Sequence, residues 1–296
     1  MGSYLCEELV QNGHVVTILD NLSSSSKNPY PPEANFVKGD IRDAGLVNIL
    51  VSNADIVIHC AAQIYVSRSM EDPVFDAQNN VLGTVNLLNA ARKASIKRFV
   101  YFSSAATYGD TVHLPVSESH PQEPLSPYGA SKLAGEKYAL MFHRAYGLPT
   151  TSIRPFNIYS PRQDPSNPYS GVISKFIDKV HDNKPPVIFG DGSATRDFVS
   201  VHDVVDMVML MLENDACVGK AFNCGTGKAA RIDELATMII DLYGKDMMSE
   251  FQPERPGDIK DSYADISLAR AVLGYSPKVS LKNGLKELIE RKSSSE

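Results

Sequence analysis

The sequence has no apolar run approaching the roughly 20 residues that span a bilayer, so no membrane segment is expected. Its start, Met1-Gly2-Ser3-Tyr4, lacks a basic region followed by an apolar stretch, and no signal peptide is expected there. It also lacks a block of basic residues. Its 29 lysines and arginines face 35 aspartates and glutamates, a formal charge of −6, which argues against general nucleic-acid binding. An anionic ligand would have to be held by individual arginines and backbone N–H groups. Cysteine is scarce: Cys6, Cys60, Cys217 and Cys224 stand apart, with no CxxC and no histidine cluster nearby. No metal and no disulfide is expected, and reduced thiols in a cytoplasmic protein are. There is no internal repeat, and serines 23–26 are the one low-complexity patch; the tail from Ser293 is expected to fray.

What is present is ordinary for a globular chain, at 43% hydrophobic and 22% charged residues, which excludes disorder, collagen and coiled coil. With 296 residues the chain makes one large or two modest domains and buries a core without help from cross-links. Strand-like runs at 15–19, 34–40, 55–61 and 98–104 alternate with helix-like runs at 4–12, 44–52, 81–94 and 128–146. The strands are apolar on both faces, which suits a parallel sheet covered on both sides by helices. The expectation is an α/β, doubly wound, Rossmann-like domain over residues 1–165, then a smaller α/β domain over 166–296, with 197–225 returning to the first. The Pro-, Ser- and Asn-rich stretch 157–170 reads as a long functional loop. Helices are expected near 173–181, 204–212, 232–242 and 281–291, with short strands at 187–189, 197–199 and 221–223.

In open α/β sheets ligands bind beyond the carboxyl ends of the strands. Asp20 ends the first readable strand, where a carboxylate would hold the adenosine ribose of NAD and repel the extra phosphate of NADP; Asp40 ends the next, near an adenine edge. The glycine-rich phosphate turn is missing. Gly2 lies at what reads as a helix N-terminus and can be only the last glycine of such a turn. The expectation is therefore a chain truncated before its first strand, without much of its pyrophosphate cradle. Tyr128 and Lys132 are four apart on one helix face, and an ammonium beside the phenol would lower its pKa toward that of a usable base. Ser104 ends the strand one βα step earlier, where its hydroxyl would bridge a substrate oxygen and the tyrosine.

In this combination the sequence resembles the extended short-chain dehydrogenase/reductases, and among them the UDP-galactose 4-epimerase group of nucleotide-sugar enzymes. The matching motifs run nearly end to end, from Asp20-Asn21-Leu22-Ser23 and Gly39-Asp40-Ile41-Arg42 through His59-Cys60-Ala61-Ala62-Gln63 and Asn79-Asn80-Val81-Leu82-Gly83-Thr84. They continue in Ser103-Ser104-Ala105-Ala106-Thr107-Tyr108-Gly109, Tyr128-Gly129-Ala130-Ser131-Lys132, Arg154-Pro155-Phe156-Asn157, Thr195-Arg196-Asp197-Phe198 and Arg255-Pro256-Gly257-Asp258.

The resemblance implies an NAD-dependent epimerase of UDP-hexoses, working through a 4-keto sugar and assembling as a homodimer through the helices at 81–94 and 128–146. It implies that Gly2, Asp20, Asn21, Asp40, Ile41, Ala61, Ala62, Gln63, Asn79 and Phe156 meet the cofactor. Tyr128 is the base, Lys132 holds the nicotinamide ribose, and Ser104 relays a proton. Asn157, Val172, Arg196, Arg255 and Asp258 hold the sugar nucleotide, the arginines as fork donors to its diphosphate. It also implies that Ser262, or Tyr263 after a one-residue shift, borders the sugar C2 substituent; serine there leaves room for an N-acetyl group. A departure is Ser160, where glycine is usual. A 4,6-dehydratase is disfavoured because Ala105-Ala106 stand where an acidic pair would be needed. A UDP-glucuronate epimerase or decarboxylase and a non-catalytic nucleotide-sugar binder stay open.

Overall fold

The computed structural model describes residues 1–23, 30–163, 171–254 and 259–293. Helix α1 (Gly2–Gln11) leads into β1 (Thr17–Asp20) and β2 (Asn35–Lys38), which pair in parallel. Then follow α2 (Ala44–Val51), β3 (Ile56–His59), the short α3 (Val66–Glu71) and α4 (Pro73–Ala77), a π-helical turn at Gln78–Leu82, α5 (Gly83–Ala94) and β4 (Arg98–Phe102). The long α6 (Pro127–Tyr146) precedes β5 (Thr150–Pro155) and β6 (Asn157–Tyr159).

The second half contains α7 (Val172–His181), β7 (Val187–Phe189), β8 (Thr195–Arg196), β9 (Phe198–Ser200), α8 (Val201–Glu213), β10 (Ala221–Cys224), β11 (Ala230–Arg231) and α9 (Ile232–Tyr243). It ends with β12 (Glu250–Gln252), β13 (Asp261–Ser262), α10 (Ser267–Leu273) and α11 (Leu281–Ser293).

The central sheet is parallel in the order β10-β5-β4-β3, and β1-β2 form a separate ladder. Side chains alternate across a strand, and β4 shows what that does here. Phe99 and Tyr101 join a core with Val47, Leu88, Ala91, Ala139 and Phe142 from α2, α5 and α6. Val100 and Phe102 join the opposite core, with Val204 and Val208 of α8 and Phe222 of β10. Every residue of β4 and β5 is buried. This is the α/β fold with helices on both faces of a parallel sheet. A third core, around Tyr159, Ile173, Phe176, Ile188, Leu235 and Leu285, unites β6, α7, β7, α9 and α11.

Several local expectations change. β1 and β2, a two-stranded ladder apart from the buried β4 and β5, are only partly covered, and Val15, expected to open β1, is 91% exposed and precedes the strand. The expected loop from 157 begins as strand β6, paired with β9, because Asn157-Ile158-Tyr159 finds a parallel partner at Phe198-Val199-Ser200. The expected helix at 81–94 begins as the π turn and becomes α-helical at Gly83. Ser262, expected to border the sugar C2 substituent, lies in strand β13 in register with Arg196.

Candidate active site

Helix α6 is well specified at both ends. Ser126 caps it by accepting from Gly129 N, Pro127 occupies its first position, and Gly147 closes it in the left-handed conformation at φ 71°. Tyr128 therefore stands in its first turn, and its backbone N–H donates to Ser69 Oγ of α3 at 3.1 Å. Ser104 lies two residues past the end of β4 and caps a 3-10 turn, Ala105–Thr107, by accepting from Ala106 N at 3.1 Å. Ser104 stands close enough to Tyr128 to lower its pKa.

Burial pushes the Tyr128 phenol above its ordinary value, Ser104 pulls it back, and the Asp76 carboxylate raises it further. Burial also pushes Lys132 down to about 8, opposed by Cys60 and Asp76. The expectation that Lys132 lowers the tyrosine is thus not met here. Desolvation of the phenolate dominates, and the ammonium lies over the Tyr101 ring at 4.8 Å, where it also acts on His59 and Cys60. His59 is buried beside it and pushed down to about 3 by burial and by the Lys132 charge. Thr84 Oγ1 donates to Asn80 O at 2.6 Å, so the His59 Nε2–H donates to Thr84 Oγ1 at 2.9 Å.

The 61–63 segment after β3 is held by Asn80 rather than by Asn79. Asn80 Oδ1 accepts from Gln63 N at 2.8 Å, while its Nδ2 reaches Gln63 O, Asp76 Oδ1 and Ser131 Oγ. Asn79 donates to Phe75 O at 2.7 Å. The π turn carries both asparagines, a geometry common at functional sites. The paired Asn79-Asn80 was visible in the sequence, but which one faced the loop was not. Gln63 turns its amide to Asp76 and Tyr65 O. Asp76 and Ser69, which no motif singled out, are both buried supports of the site.

At the ends of β1 and β2, Asp20 Oδ1 accepts from Leu22 N at 2.7 Å, and Asn21 Nδ2 donates to Asp40 at 3.0 Å. Arg42 forks onto Asp40 and holds its carboxyl well below the usual range. Ile41 packs in the core against Gly83. Ala61 and Ala62 follow β3, and Gly2 opens α1 with nothing within 4 Å of where a side chain would begin. Phe156, expected at the cofactor, is 7% exposed and packed in the core with Tyr108.

Farther on, Asn157 Nδ2 donates to Asp197 O, and Arg196 Nη1 to Thr195 O and Lys260 O. Val172 is the first residue of α7. Arg255 and Asp258 lie outside the described residues. Asp197, fully buried, accepts from Thr226 N and Oγ1, Gly227 N and Ala264 N, and so ties three segments together.

The donor set fits NAD. Asp20 keeps Oδ2 for a ribose hydroxyl, and Lys132 stands one helical turn from Tyr128 on α6, its pKa lowered by burial.

Residues 1–225 match the NAD dependent epimerase/dehydratase family. UDP-glucose 4-epimerase of Mycolicibacterium smegmatis is 42% identical over 98% of this chain and 94% of its own length. The structure of UDP-glucose 4-epimerase with UDP-glucose from Thermotoga maritima superposes with a TM-score of 0.95, at 35% identity over 99% of this chain and 96% of that one. A UDP-N-acetylglucosamine 4-epimerase from Methanobrevibacter ruminantium M1, in complex with UDP-N-acetylmuramic acid, superposes with a TM-score of 0.93, at 34% identity over 100% of this chain and 95% of that one. With that fold, these strand-end residues and a match over most of its length, the chain belongs to the NAD-dependent epimerase/dehydratase family, in its UDP-glucose 4-epimerase group.

Proposed function

We propose that this protein is an NAD-dependent UDP-hexose 4-epimerase, an isomerase that interconverts UDP-glucose and UDP-galactose and also takes the N-acetyl forms. The observation that carries this reading is the placing of Ser104, in the turn after β4, beside the first turn of α6 with Tyr128 and, one turn on, Lys132. Tyr128 takes the proton of the sugar 4-hydroxyl as C4 gives up its hydride, leaving a 4-keto sugar; Ser104 orients that oxygen. Bound NAD supplies the acceptor and later the donor of that hydride. Asp20 and Asn21 hold the adenosine ribose, and Lys132 the nicotinamide ribose. Asn157, Arg196 and, outside the described residues, Arg255 and Asp258 anchor the UDP while the keto sugar turns over. Tyr128 then returns its proton to O4 as hydride adds to the opposite face. Dehydration at C5–C6 would need a further acid and base beside Ser104. There the 3-10 turn offers Ala105 and Ala106, whose methyl side chains can neither donate nor accept a proton.

In this reading residues 1–165 serve the cofactor and 166–296 mainly the sugar nucleotide, the latter around their own core. The protein works in the cytoplasm, in keeping with four free cysteines; no helix among the described residues is long and apolar enough to cross a membrane. It pairs as a homodimer through an apolar groove that includes Val74, Leu82 and Tyr138, exposed at 65%, 51% and 40%. The test is a panel of UDP-sugars given to the NAD-supplied protein, with products separated. Mixtures of the C4 epimers are expected. A 4-keto-6-deoxy product, or turnover confined to UDP-glucuronate, would overturn the reading.

A further inference from the structure

Behind the catalytic residues lies a buried ion pair that the reaction itself does not use. Glu136 is one helical step beyond Lys132, so Tyr128, Lys132 and Glu136 follow one face of α6 at four-residue spacing. Arg154 of β5 forks onto it, Nη2 to Oε1 at 2.6 Å and Nε to Oε2 at 2.8 Å. Glu136 is 0% and Arg154 4% exposed. The remaining arm of the guanidinium, Nη1, donates to Tyr108 Oη at 2.7 Å and Glu118 O at 3.0 Å, and Tyr108 Oη donates to Asn223 Oδ1 at 2.6 Å.

Tyr108 directly follows the 3-10 turn that Ser104 caps. Gln122 Nε2 adds a second link, reaching Thr107 Oγ1 of that turn and Glu136 Oε1. The helix start and the turn are pressed together: a Cβ on Gly129 would come within 2.5 Å of Ala106 O. A buried ion pair is a weak source of net stability, since apolar residues of like volume often do as well. What this one supplies is a fixed distance between two elements that must meet.

We propose that the Glu136–Arg154 pair is a positioning device, tying α6 to the Ser104 turn through Tyr108 and so setting how the turn with Ser104 sits against the helix start with Tyr128. The proposal rests on the epimerase reading. Its chemical consequence has a sign. Ser104 lowers the tyrosine's pKa, so slackening the tie raises it, and the ascending limb of kcat moves to higher pH. Glu136→Asp keeps the charge and withdraws it by one methylene. Arg154→Lys keeps the charge and loses the fork, and serves if the first variant does not fold.

The experiment is a cycle on the NAD-loaded enzyme: parent, Glu136→Asp, Ser104→Ala and the double variant, each with kcat, KM and pH profile on UDP-glucose and a thermal unfolding curve. Glu136→Asp is expected to lower kcat about tenfold or more through misplacement, with little change in KM and with the limb shifted upward. In the Ser104→Ala background it should cost almost nothing further in kcat and shift nothing further, while its effect on Tm persists in full. Multiplying losses in kcat, or an unshifted limb with a lowered Tm, would overturn the proposal and leave a merely structural pair. A parent without turnover on the whole UDP-sugar panel would overturn the epimerase reading and this proposal with it.

Discussion

Lys132 carries the stability cost of a buried ammonium, and Lys132→Met removes it. Burial lowers the ammonium from an ordinary 10.5 to about 8, and the residue is 3% exposed, so water screens little of this. Between those values the unfolded chain holds a proton that the folded chain has released, and stability therefore rises with pH across that window. Below the folded value the full cost is present, about 3 kcal/mol. Methionine has similar length, no charge and the flexibility to fill the slot, but it forfeits the contact with the Tyr101 ring, worth about 1 to 2 kcal/mol. The net expectation for the cofactor-free protein at about pH 7 is a gain of about 1 to 2 kcal/mol, a few degrees in Tm for a chain of this size. At about pH 9.5 the parent lysine is mostly neutral when folded, and the advantage should shrink or reverse. Thermal unfolding of both proteins at the two pH values reads this directly, alongside loss of epimerase turnover in the variant. A Lys132→Met protein less stable than its parent at the lower pH, or an advantage that does not change with pH, would refute the reasoning.

Tyr128→Phe keeps the half-buried ring and deletes the ionisable hydroxyl; kcat should fall by roughly a hundredfold or more, with NAD retained on gel filtration. Asp197→Ala strips the acceptor from three backbone N–H groups and one hydroxyl, and should cost about 3 to 5 kcal/mol in urea unfolding. Ser262→Tyr, beside Arg196, should depress kcat/KM for UDP-N-acetylglucosamine selectively; equal loss on UDP-glucose would count against a role in sugar size. Sedimentation of the parent should show a dimer at micromolar concentration, and Leu82→Glu should dissociate it.

Much of the scaffold was legible because it depends on near neighbours. The apolar runs that became β3 and β4, the helical run at 128–146 and the four-residue spacing of Tyr128 and Lys132 are all set within a few residues of the position concerned. The strand-end rule likewise brought Asp20, Asp40 and Ser104 to attention without coordinates. The tertiary structure decided the rest. Charge alone suggested that Lys132 would lower Tyr128, yet desolvation, set by everything packed around both groups, outweighs it. The choice of Asn80 over Asn79 depends on how a π turn rotates the chain against Gln63, 17 residues away in sequence. The Asp197 hub, the Glu136–Arg154–Tyr108 tie and its end at Asn223 join segments up to 115 residues apart. Helical and strand periods are properties of local backbone geometry, which a sequence carries on its face. Burial and the pairing of distant polar groups exist only once the chain has closed on itself, and here burial is the largest cause shifting the pKa of both Tyr128 and Lys132.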